Sequence, residues 1–409
     1  MAELEERAIE CSRSVESKPK YVSEAAENIP WDELEQIVLR LSPRSRRNAV
    51  EAFKSWLIRV REASERGESE IFVLNGEWGV GKTALRRTLL RNEAEKIGYK
   101  VKEIRFDDFM NDIKKNYNRY GIIEGYLSLF ENTLREYLQE VGNISEENPL
   151  LLFIDEVEGI IGLYDRQETV GDVNAGHAFI QFLREFRSKD SRFALDLKGK
   201  IHLVLFITPF ALNFITRQLG PEYSGWLLRR ESIYNLYPLD KYETIEFIRE
   251  SLKYLLGMDI GKIVVDDYRL LEIFYTISNG NIGILVKLLS DILYYFYRKC
   301  TEKYDKDCVC IIDYSTLLNA LKTTTVLKNY EQSVLPLNYD IIRRIEYGSD
   351  IFRLQQEEAK SILLKMAVSS SVIYDKEMNT ITYFTLKKLS LNFDINIVRY
   401  RIYKLDNIW

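Results

Sequence analysis

An eight-residue glycine-rich segment constrains the fold of this chain more than any other feature of its sequence. Residues Gly76–Thr83 read Gly-Glu-Trp-Gly-Val-Gly-Lys-Thr and match the pattern G-x-x-x-x-G-K-[ST] at every fixed position. The segment follows an apolar stretch, Glu70–Leu74, that predicts a β-strand, and it precedes a helical pattern over Ala84–Ile97. A strand, a glycine loop and a helix in this order are typical of a loop that cradles phosphate groups.

The residue types in this loop suit the binding of a nucleoside triphosphate. Glycines let backbone N–H groups turn toward phosphate oxygens, and the N-terminus of the following helix adds partial positive charge. Lys82 is predicted to reach the β and γ phosphates of ATP, and the Thr83 hydroxyl to ligate Mg²⁺. An accidental glycine turn is the alternative, which the flanking strand and helix patterns disfavour. The predicted nucleotide-binding residues are Gly76, Gly79, Val80, Gly81, Lys82, Thr83 and Ala84.

Two acidic residues follow an apolar run about seventy residues downstream of the loop. Leu150–Ile154 predicts a strand buried on both faces, and Asp155 and Glu156 come directly after it. Ligands of open α/β sheets bind at the carboxyl ends of the strands, so Asp155 is predicted to hold Mg²⁺ and Glu156 to polarise the attacking water. Paired acids are also common at helix starts, and that reading is the alternative.

Helical and strand patterns alternate from residue 67 to residue 239 and predict a parallel sheet with helices on both faces. The further strands are expected at Lys100–Arg105, Ile201–Ile207 and Ser232–Leu236. The fold class is therefore α/β, a P-loop domain of three layers, with two more helical units after it. We expect a helical lead-in over 1–66 with helices at Trp31–Leu41 and Ser45–Ser64, the P-loop ATPase domain over 67–239, a helical lid over 240–328 and a small domain over 340–409.

The two nucleotide motifs resemble those of the AAA+ ATPases. Within that class, the chain is similar to the archaeal branch that contains replication initiators of the origin-recognition type, and to the related STAND regulatory NTPases, over about Ser45–Lys328. The resemblance implies five parallel strands followed by a helical lid. It also implies that Thr208, at the end of a strand, is a polar sensor of the γ-phosphate, and that Arg229 or Arg230 is an arginine finger that reaches the nucleotide of a neighbouring subunit. A strand-end hydroxyl and a solvated helix end are the alternatives for these residues.

The lid departs from both subfamilies. Ser278–Gly283 resembles the turn that carries a sensor arginine in initiators and a glycine-x-proline in STAND proteins. This chain has Gly283 at the arginine position and Ile282 at the proline position, with Lys287 one turn further on. Sensing of the nucleotide by the lid therefore lacks its usual residues.

The C-terminal residues resemble a winged-helix domain. Short helices are expected at Phe384–Leu391 and Ile395–Leu405, the latter as a recognition helix in the major groove of DNA, and the chain ends at Trp409 before any wing hairpin. A plain helical packing domain is the alternative. The predicted DNA contacts are Lys387, Lys388, Arg399, Arg401, Tyr403 and Lys404.

Charge and hydropathy limit the remaining partners. The net charge of −5 excludes a polycation, so nucleic-acid binding must be local. Two local excesses exist: seven basic residues against one acid between Arg40 and Arg61, and five against two from Thr380 onward. The first is more typical of a solvated helix face than of a DNA contact. No apolar run reaches the ~18 to 20 residues of a membrane span, and the acidic N-terminus lacks a signal-peptide pattern, so we expect a cytoplasmic protein without a membrane partner.

The sequence thus predicts an ATP-binding and ATP-hydrolysing protein that uses Mg²⁺. The leading interpretation is an initiator-like ATPase associated with double-stranded DNA and capable of self-association. The alternative is a STAND-like or defence-system regulatory ATPase that binds protein partners. A nucleotide-binding scaffold without turnover is disfavoured by Glu156.

Overall fold

A computed structural model of the chain describes its central part and selected residues beyond it. The described residues are 41–120, 125–170, 173–188, 193–219 and 232–256, together with 38, 191, 274, 278, 280–283, 285, 286, 289, 372–375, 380–386 and 397–404. They belong to two compact units. The first holds Arg44–Glu77 and Lys82–Tyr237, and the second holds Trp78–Gly81, the described residues before Arg44 and those from Pro238 onward.

A five-stranded parallel sheet forms the centre of the first unit. Its strands lie in the order β2-β3-β6-β1-β7, and every pairing is parallel. Strands β1, β3 and β6 are buried at every position, as expected of continuous apolar strands whose two faces are both covered. The predicted α/β fold with five parallel strands is confirmed. The strands are β1 (Ile71–Gly76), β2 (Lys100–Arg105), β3 (Leu150–Asp155), β6 (Ile201–Ile207) and β7 (Ile233–Leu236).

Helices connect and cover these strands. One short antiparallel strand pair occurs in the sequence between the helices Gly159–Asp165 and Ala175–Arg187. Among the described residues, no helix combines the length and the apolar character that a membrane span requires. The helices of this unit are α1 (Arg44–Glu65), α2 (Lys82–Leu85), α3 (Arg91–Lys96), α4 (Phe106–Tyr120), α5 (Tyr126–Val141), α6 (Gly159–Asp165), α7 (Ala175–Arg187) and α8 (Pro209–Leu219). A π-helical turn, Arg86–Leu90, joins α2 to α3, and β4 (Thr169–Val170) pairs with β5 (Val173–Asn174).

Helix α1 packs on the sheet through aromatic side chains. Phe53 and Trp56 are fully buried, and the Phe53 ring lies 5.4 Å from that of Phe72 on β1 and 6.1 Å from that of Phe153 on β3. Burial of a side chain of this size contributes about 1.5 to 3 kcal/mol. Helix α1 therefore covers the strands that end at the phosphate loop and at Asp155.

The second unit contains helix α9 (Lys241–Leu256) and a separate antiparallel sheet. Strands β8 (Val372–Asp375), β9 (Thr380–Leu386) and β10 (Ile397–Lys404) lie in the order β10-β9-β8. Thr380 pairs with Lys404, and Leu386 with Ile397, along β9 and β10.

This sheet corrects the predicted C-terminal helices. The expected recognition helix Ile395–Leu405 is strand β10, the start of the expected helix Phe384–Leu391 belongs to β9, and an antiparallel strand pair stands where no hairpin was expected. The physical reason is composition, because Ile, Val and Tyr fill five of the eight positions of β10, and these residues favour strands over helices.

Several predictions concern residues outside the described ones. They concern the finger arginines Arg229 and Arg230, the lid residue Lys287, and the predicted DNA contacts Lys387 and Lys388. Most of the expected helix Trp31–Leu41 also lies outside the described residues. The assignment of 340–409 as a winged-helix-like domain also stays a prediction.

Candidate functional site

Three buried parallel strands of the first unit end at the same edge of the sheet. Strand β1 ends at Gly76, β3 ends at Asp155, and β6 is followed by Thr208, whose carbonyl accepts a hydrogen bond from Leu212 N at 2.9 Å in α8. Strand β6 lies between the other two and pairs with both. Because their carboxyl ends meet, the residues that the sequence singled out at three separate places lie on one edge.

Lys82 is the first residue of α2 and is 8% exposed. Its Nζ donates hydrogen bonds to the carbonyl oxygens of Gly76, at 2.5 Å, and of Glu77, at 3.2 Å. The buried ammonium group is therefore held beside the start of the glycine loop. A buried cation beside backbone N–H groups is the combination that phosphate oxygens require.

Thr83 and Asp155 come together although 72 residues separate them in the sequence. The Thr83 hydroxyl donates to Oδ2 of Asp155 at 3.2 Å, and Asp155 Oδ1 accepts a hydrogen bond from Glu156 N at 2.9 Å. Asp155 is only 2% exposed. These two groups were predicted from separate motifs to ligate Mg²⁺, and the fold places them in direct contact.

A second cation, which the motifs did not indicate, lies at the same carboxylate. Arg86 begins the π-helical turn, is 6% exposed, and places its Nε 3.4 Å from Asp155 Oδ2 and 3.6 Å from Glu103 Oε2. Its position three residues after Thr83 on the helix is the signal that could have found it, since residues three apart share a helix face. The charge of the buried Asp155 is thereby balanced.

Glu156 has an unusual backbone and a charged partner. Its φ of 57° lies in the left-handed region that residues other than glycine adopt only occasionally. Its carboxylate accepts hydrogen bonds from both Nε, at 3.1 Å, and a terminal nitrogen of Arg105, the last residue of β2. The contact of Arg105 with Glu156 has no signature in the sequence, because it depends on the strand order, which puts β2 beside β3.

The tip of the glycine loop, Trp78–Gly81, belongs to the second unit. There it contacts Asn281 and Gly283. Gly79 and Gly81 have φ values of 78° and 95°, which glycine adopts without strain. Asn281 donates from Nδ2 to the Trp78 carbonyl at 2.6 Å, and Gly283 N donates to the Gly79 carbonyl at 2.7 Å. The sequence alone marks Gly283 only as the residue at the position where initiators carry a sensor arginine.

The donor set fits a nucleotide with Mg²⁺. A hydroxyl and a carboxylate in contact are oxygen ligands of the kind that Mg²⁺ takes together with substrate phosphates. Lys82 would supply the charge for those phosphates, and the positive φ values of Gly79 and Gly81 give the loop its tight turns. Thr83 and Asp155 would hold the metal ion, and Thr208, which is 9% exposed at the neighbouring strand end, is the candidate sensor.

Comparison with known proteins identifies the domain that carries this site. Residues 72–207 match the model of the ATPase family associated with various cellular activities (AAA). No curated protein sequence matches the chain.

Three of the solved structures that are similar to this chain are the following. Domain III of the Thermotoga maritima replication initiation protein DnaA has 16% identity over 69% of this chain and 94% of that chain, with a TM-score of 0.42. The Aeropyrum pernix ORC2 protein, in its ADPNP–ADP complexes, has 14% identity over 82% of this chain and 88% of that chain, with a TM-score of 0.44. Cdc6p from Pyrobaculum aerophilum has 16% identity over 81% of this chain and 87% of that chain, with a TM-score of 0.42.

The family match spans β1, the phosphate loop, β3 with Asp155, and β6, which are the elements that place Lys82, Thr83 and Asp155 together. The domain over residues 72–207 is therefore of the AAA ATPase type, and the phosphate loop and the strand ends of the site lie within it.

Proposed function

We propose that this chain binds ATP with Mg²⁺ and hydrolyses it to ADP and phosphate. The observation that carries the proposal is the contact between Thr83 and Asp155 at 3.2 Å, beside the buried Lys82. Two oxygen ligands and one buried cation at the end of a glycine loop suit a metal-bound polyphosphate better than any other small ligand. The AAA match over residues 72–207 supports the same reading.

The chain's own residues divide the work of hydrolysis in this proposal. Lys82 neutralises the β and γ phosphates, and the Thr208 hydroxyl donates a hydrogen bond to the γ-phosphate. Glu156 orients the attacking water and accepts its proton as the water oxygen bonds to the γ-phosphorus and the bond to the bridging oxygen of ADP breaks. Bound Mg²⁺ would add positive charge at the β and γ oxygens.

Two substitutions separate binding from turnover. Lys82→Ala should abolish ATP binding or turnover because it removes the phosphate countercharge, whereas Glu156→Gln should keep ATP bound and lower turnover by at least about a hundredfold. Phosphate release and retention of labelled ATP on the purified proteins measure the two effects. Wild-type turnover in Glu156→Gln would contradict the role of Glu156.

We also propose self-association through the ATPase domain. The support is the resemblance that assigns Arg229 or Arg230 to a neighbour's nucleotide. The same phosphate-release assay tests it, since turnover per chain should rise over a hundredfold range of protein concentration. Constant turnover per chain, with Arg229→Ala and Arg230→Ala both fully active, would remove the finger assignment.

We propose association with double-stranded DNA as the finer function, with a protein-binding regulatory ATPase as the alternative. The support is a local excess of basic residues in a chain of net charge −5. In α1 that excess is partly used internally: Arg46 is 2% exposed and donates to the Tyr237 carbonyl, while Lys54 pairs with Glu51 at 3.0 Å. The C-terminal contribution now rests on a strand, β10, which carries Arg399, Arg401 and Lys404.

Deletion of residues from 351 onward tests the DNA proposal. A duplex shift assay at several salt concentrations should show weaker binding by the shortened chain, and a salt slope lower by about one unit for each lost phosphate contact. A plain protein-binding ATPase predicts no shift of duplex by the full chain even at low salt. That result, or an unchanged slope after the deletion, would favour the alternative.

A further inference from the structure

The turn Ser278–Gly283 holds two carbonyl groups of the phosphate loop although it lacks a charged residue for the phosphates. Asn281 Nδ2 donates to the Trp78 carbonyl at 2.6 Å, and Gly283 N donates to the Gly79 carbonyl at 2.7 Å. These are successive peptide groups of the loop, and the turn and the loop tip belong to the same unit.

A trans peptide fixes where its N–H points once its C=O is fixed, because the two bonds lie in one plane and point in opposite directions. Among the described residues the peptide bonds are trans. Holding the Trp78 carbonyl therefore sets the direction of the Gly79 N–H, and holding the Gly79 carbonyl sets that of the Val80 N–H. In a phosphate loop such N–H groups are the donors that cradle the phosphate oxygens.

We infer that Asn281 and Gly283 are positioning residues for the phosphate cradle. They fix the loop carbonyls on the side away from the ligand, so that the N–H groups of Gly79 and Val80 are aimed at phosphate before it binds. This inference rests on the proposed nucleotide-binding function and deepens it. It also gives Gly283 a role that its comparison with a sensor arginine does not supply.

The packing of the turn agrees with such a role. A Cβ atom on Gly283 would lie 3.1 Å from the Gly79 Cα, and a Cβ atom on Gly79 would collide with Asn281 Oδ1, so the two backbones approach as closely as glycines allow. Asn281 is 6% exposed, and its own N–H donates to the Ser278 carbonyl at 2.9 Å. The Gly280 carbonyl accepts from Leu239 N at 2.9 Å, which anchors the turn on its other side.

Binding of inorganic pyrophosphate and of ADP to the full chain tests the inference. Asn281→Leu keeps the shape of the side chain, adds no charge and removes the donor. We expect this variant to lower the affinities for pyrophosphate and for ADP by the same factor, about tenfold or more, because both ligands use the same N–H groups. The matched control is Asn132→Leu, since Asn132 lies on α5 and its Oδ1 accepts only from Arg135 Nη1, at 3.2 Å, in the contacts described.

A merely structural role for Asn281 would appear as a lower unfolding temperature without ligand and an unchanged affinity for pyrophosphate. The expected result is the reverse, with an unfolding temperature equal to that of Asn132→Leu and a lower affinity. If wild type binds both ligands and Asn281→Leu binds them equally well, the inference is overturned while the proposed function stands. If wild type binds neither ligand, the proposed function fails and the inference fails with it.

A second pair of variants keeps the test decisive if Asn281→Leu does not fold. Gly283→Ala and Gly283→Pro both add a Cβ atom, but only proline removes the N–H donor, and proline is tolerated in the first turn of a helix such as the one at Ile282–Gly283. Pyrophosphate should bind about tenfold more weakly to Gly283→Pro than to Gly283→Ala. Equal affinities of these two variants would overturn the assignment of Gly283.

Discussion

Single side chains at the end of the sheet form two charge pairs rather than a row of independent motif residues. Asp155 lies beside Arg86, and Glu156 beside Arg105. Asp155 and Arg86 are both buried, whereas the Glu156 side chain is 29% and the Arg105 side chain 53% exposed. A buried ion pair is costly to break, whereas an exposed pair contributes at most about 1 kcal/mol. Glu156 therefore separates from Arg105 more easily than Asp155 separates from Arg86.

Arg105 is therefore expected to restrain Glu156. Arg105→Gln should raise turnover at saturating ATP by up to about fivefold, because water orientation by Glu156 would no longer require loss of an exposed ion pair. The affinity for ATP should stay the same. The matched control is Arg135→Gln, which breaks the exposed pair of Arg135 with Asp196 far from the strand ends that carry the site.

Steady-state phosphate release on the two variants measures this effect. A fall in turnover specific to Arg105→Gln would mean that Arg105 instead holds Glu156 in its working position.

At the scale of residues, the site was predictable where one motif carries its own chemistry. Lys82, Thr83 and Asp155 follow from residue type, spacing and a neighbouring strand. Arg105, Asn281 and Gly283 do not, because their roles arise from strand order and from contacts between segments remote in the sequence. The direction of a peptide plane has no signature in side-chain types.

Three strands occur at or near their predicted bounds, and two of them are fully buried while Lys100–Arg105 is partly exposed. Strands Lys100–Arg105 and Ile201–Ile207 occur with the predicted bounds, and Leu150–Ile154 extends by one residue to Asp155. Helix α1 extends the prediction by one residue at each end. In the two buried strands, a continuous apolar run predicts a strand that is covered on both faces.

Other elements were predicted wrongly or missed. Strand β10 was expected to be a helix because its basic residues suggested a recognition helix, although its Ile, Val and Tyr content favours a strand. The π-helical turn Arg86–Leu90 interrupts a helix predicted as regular over 84–97, and such single turns are too rare to be expected from a helical pattern.

The junction of α1 with β6 gives the fold a dependence on pH. His202 is fully buried, its Nδ1 accepts from Glu70 N at 3.0 Å, and its Nε2 lies 2.9 Å from the Ser64 hydroxyl of α1. Burial lowers the pKa of His202 to about 3. The unfolded chain binds this proton below pH ~6.5, so the contribution is complete above that pH and is lost as the pH falls toward 3.

The free energy of unfolding should therefore drop by about 2 kcal/mol between pH 7 and pH 5 through this residue alone. Urea unfolding of wild type and His202→Gln at both pH values measures the drop as the difference between their pH dependences. His177→Gln, which changes an exposed histidine of α7, is the control. An equal pH dependence in wild type and His202→Gln would contradict the assignment.

At the scale of the whole molecule, residues 72–207 match the AAA family, whereas the functions of the other parts of the chain are proposals. The boundaries predicted at 66, 239 and 328 remain predictions, as do DNA association and self-association. The loop tip Trp78–Gly81 groups with the residues from Pro238 onward, while Lys82 groups with the sheet, so one continuous motif contributes to both units. Length and charge could not have indicated this division, because it depends on which segments contact the loop.

We propose that Thr83 and Asp155 hold a metal-bound nucleotide beside Lys82. The most direct test is the affinity for ADP with Mg²⁺ and with EDTA, measured on wild type, Thr83→Val and Thr88→Val. Thr88→Val is the matched control because its hydroxyl, in the same helical segment, donates to the Ala84 carbonyl at 2.7 Å. We predict that Mg²⁺ raises the affinity for ADP by about tenfold in wild type and in Thr88→Val. In Thr83→Val the affinity for ADP should be the same with Mg²⁺ and with EDTA. A gain of the same size in Thr83→Val, or the absence of ADP binding by wild type, would contradict the claim.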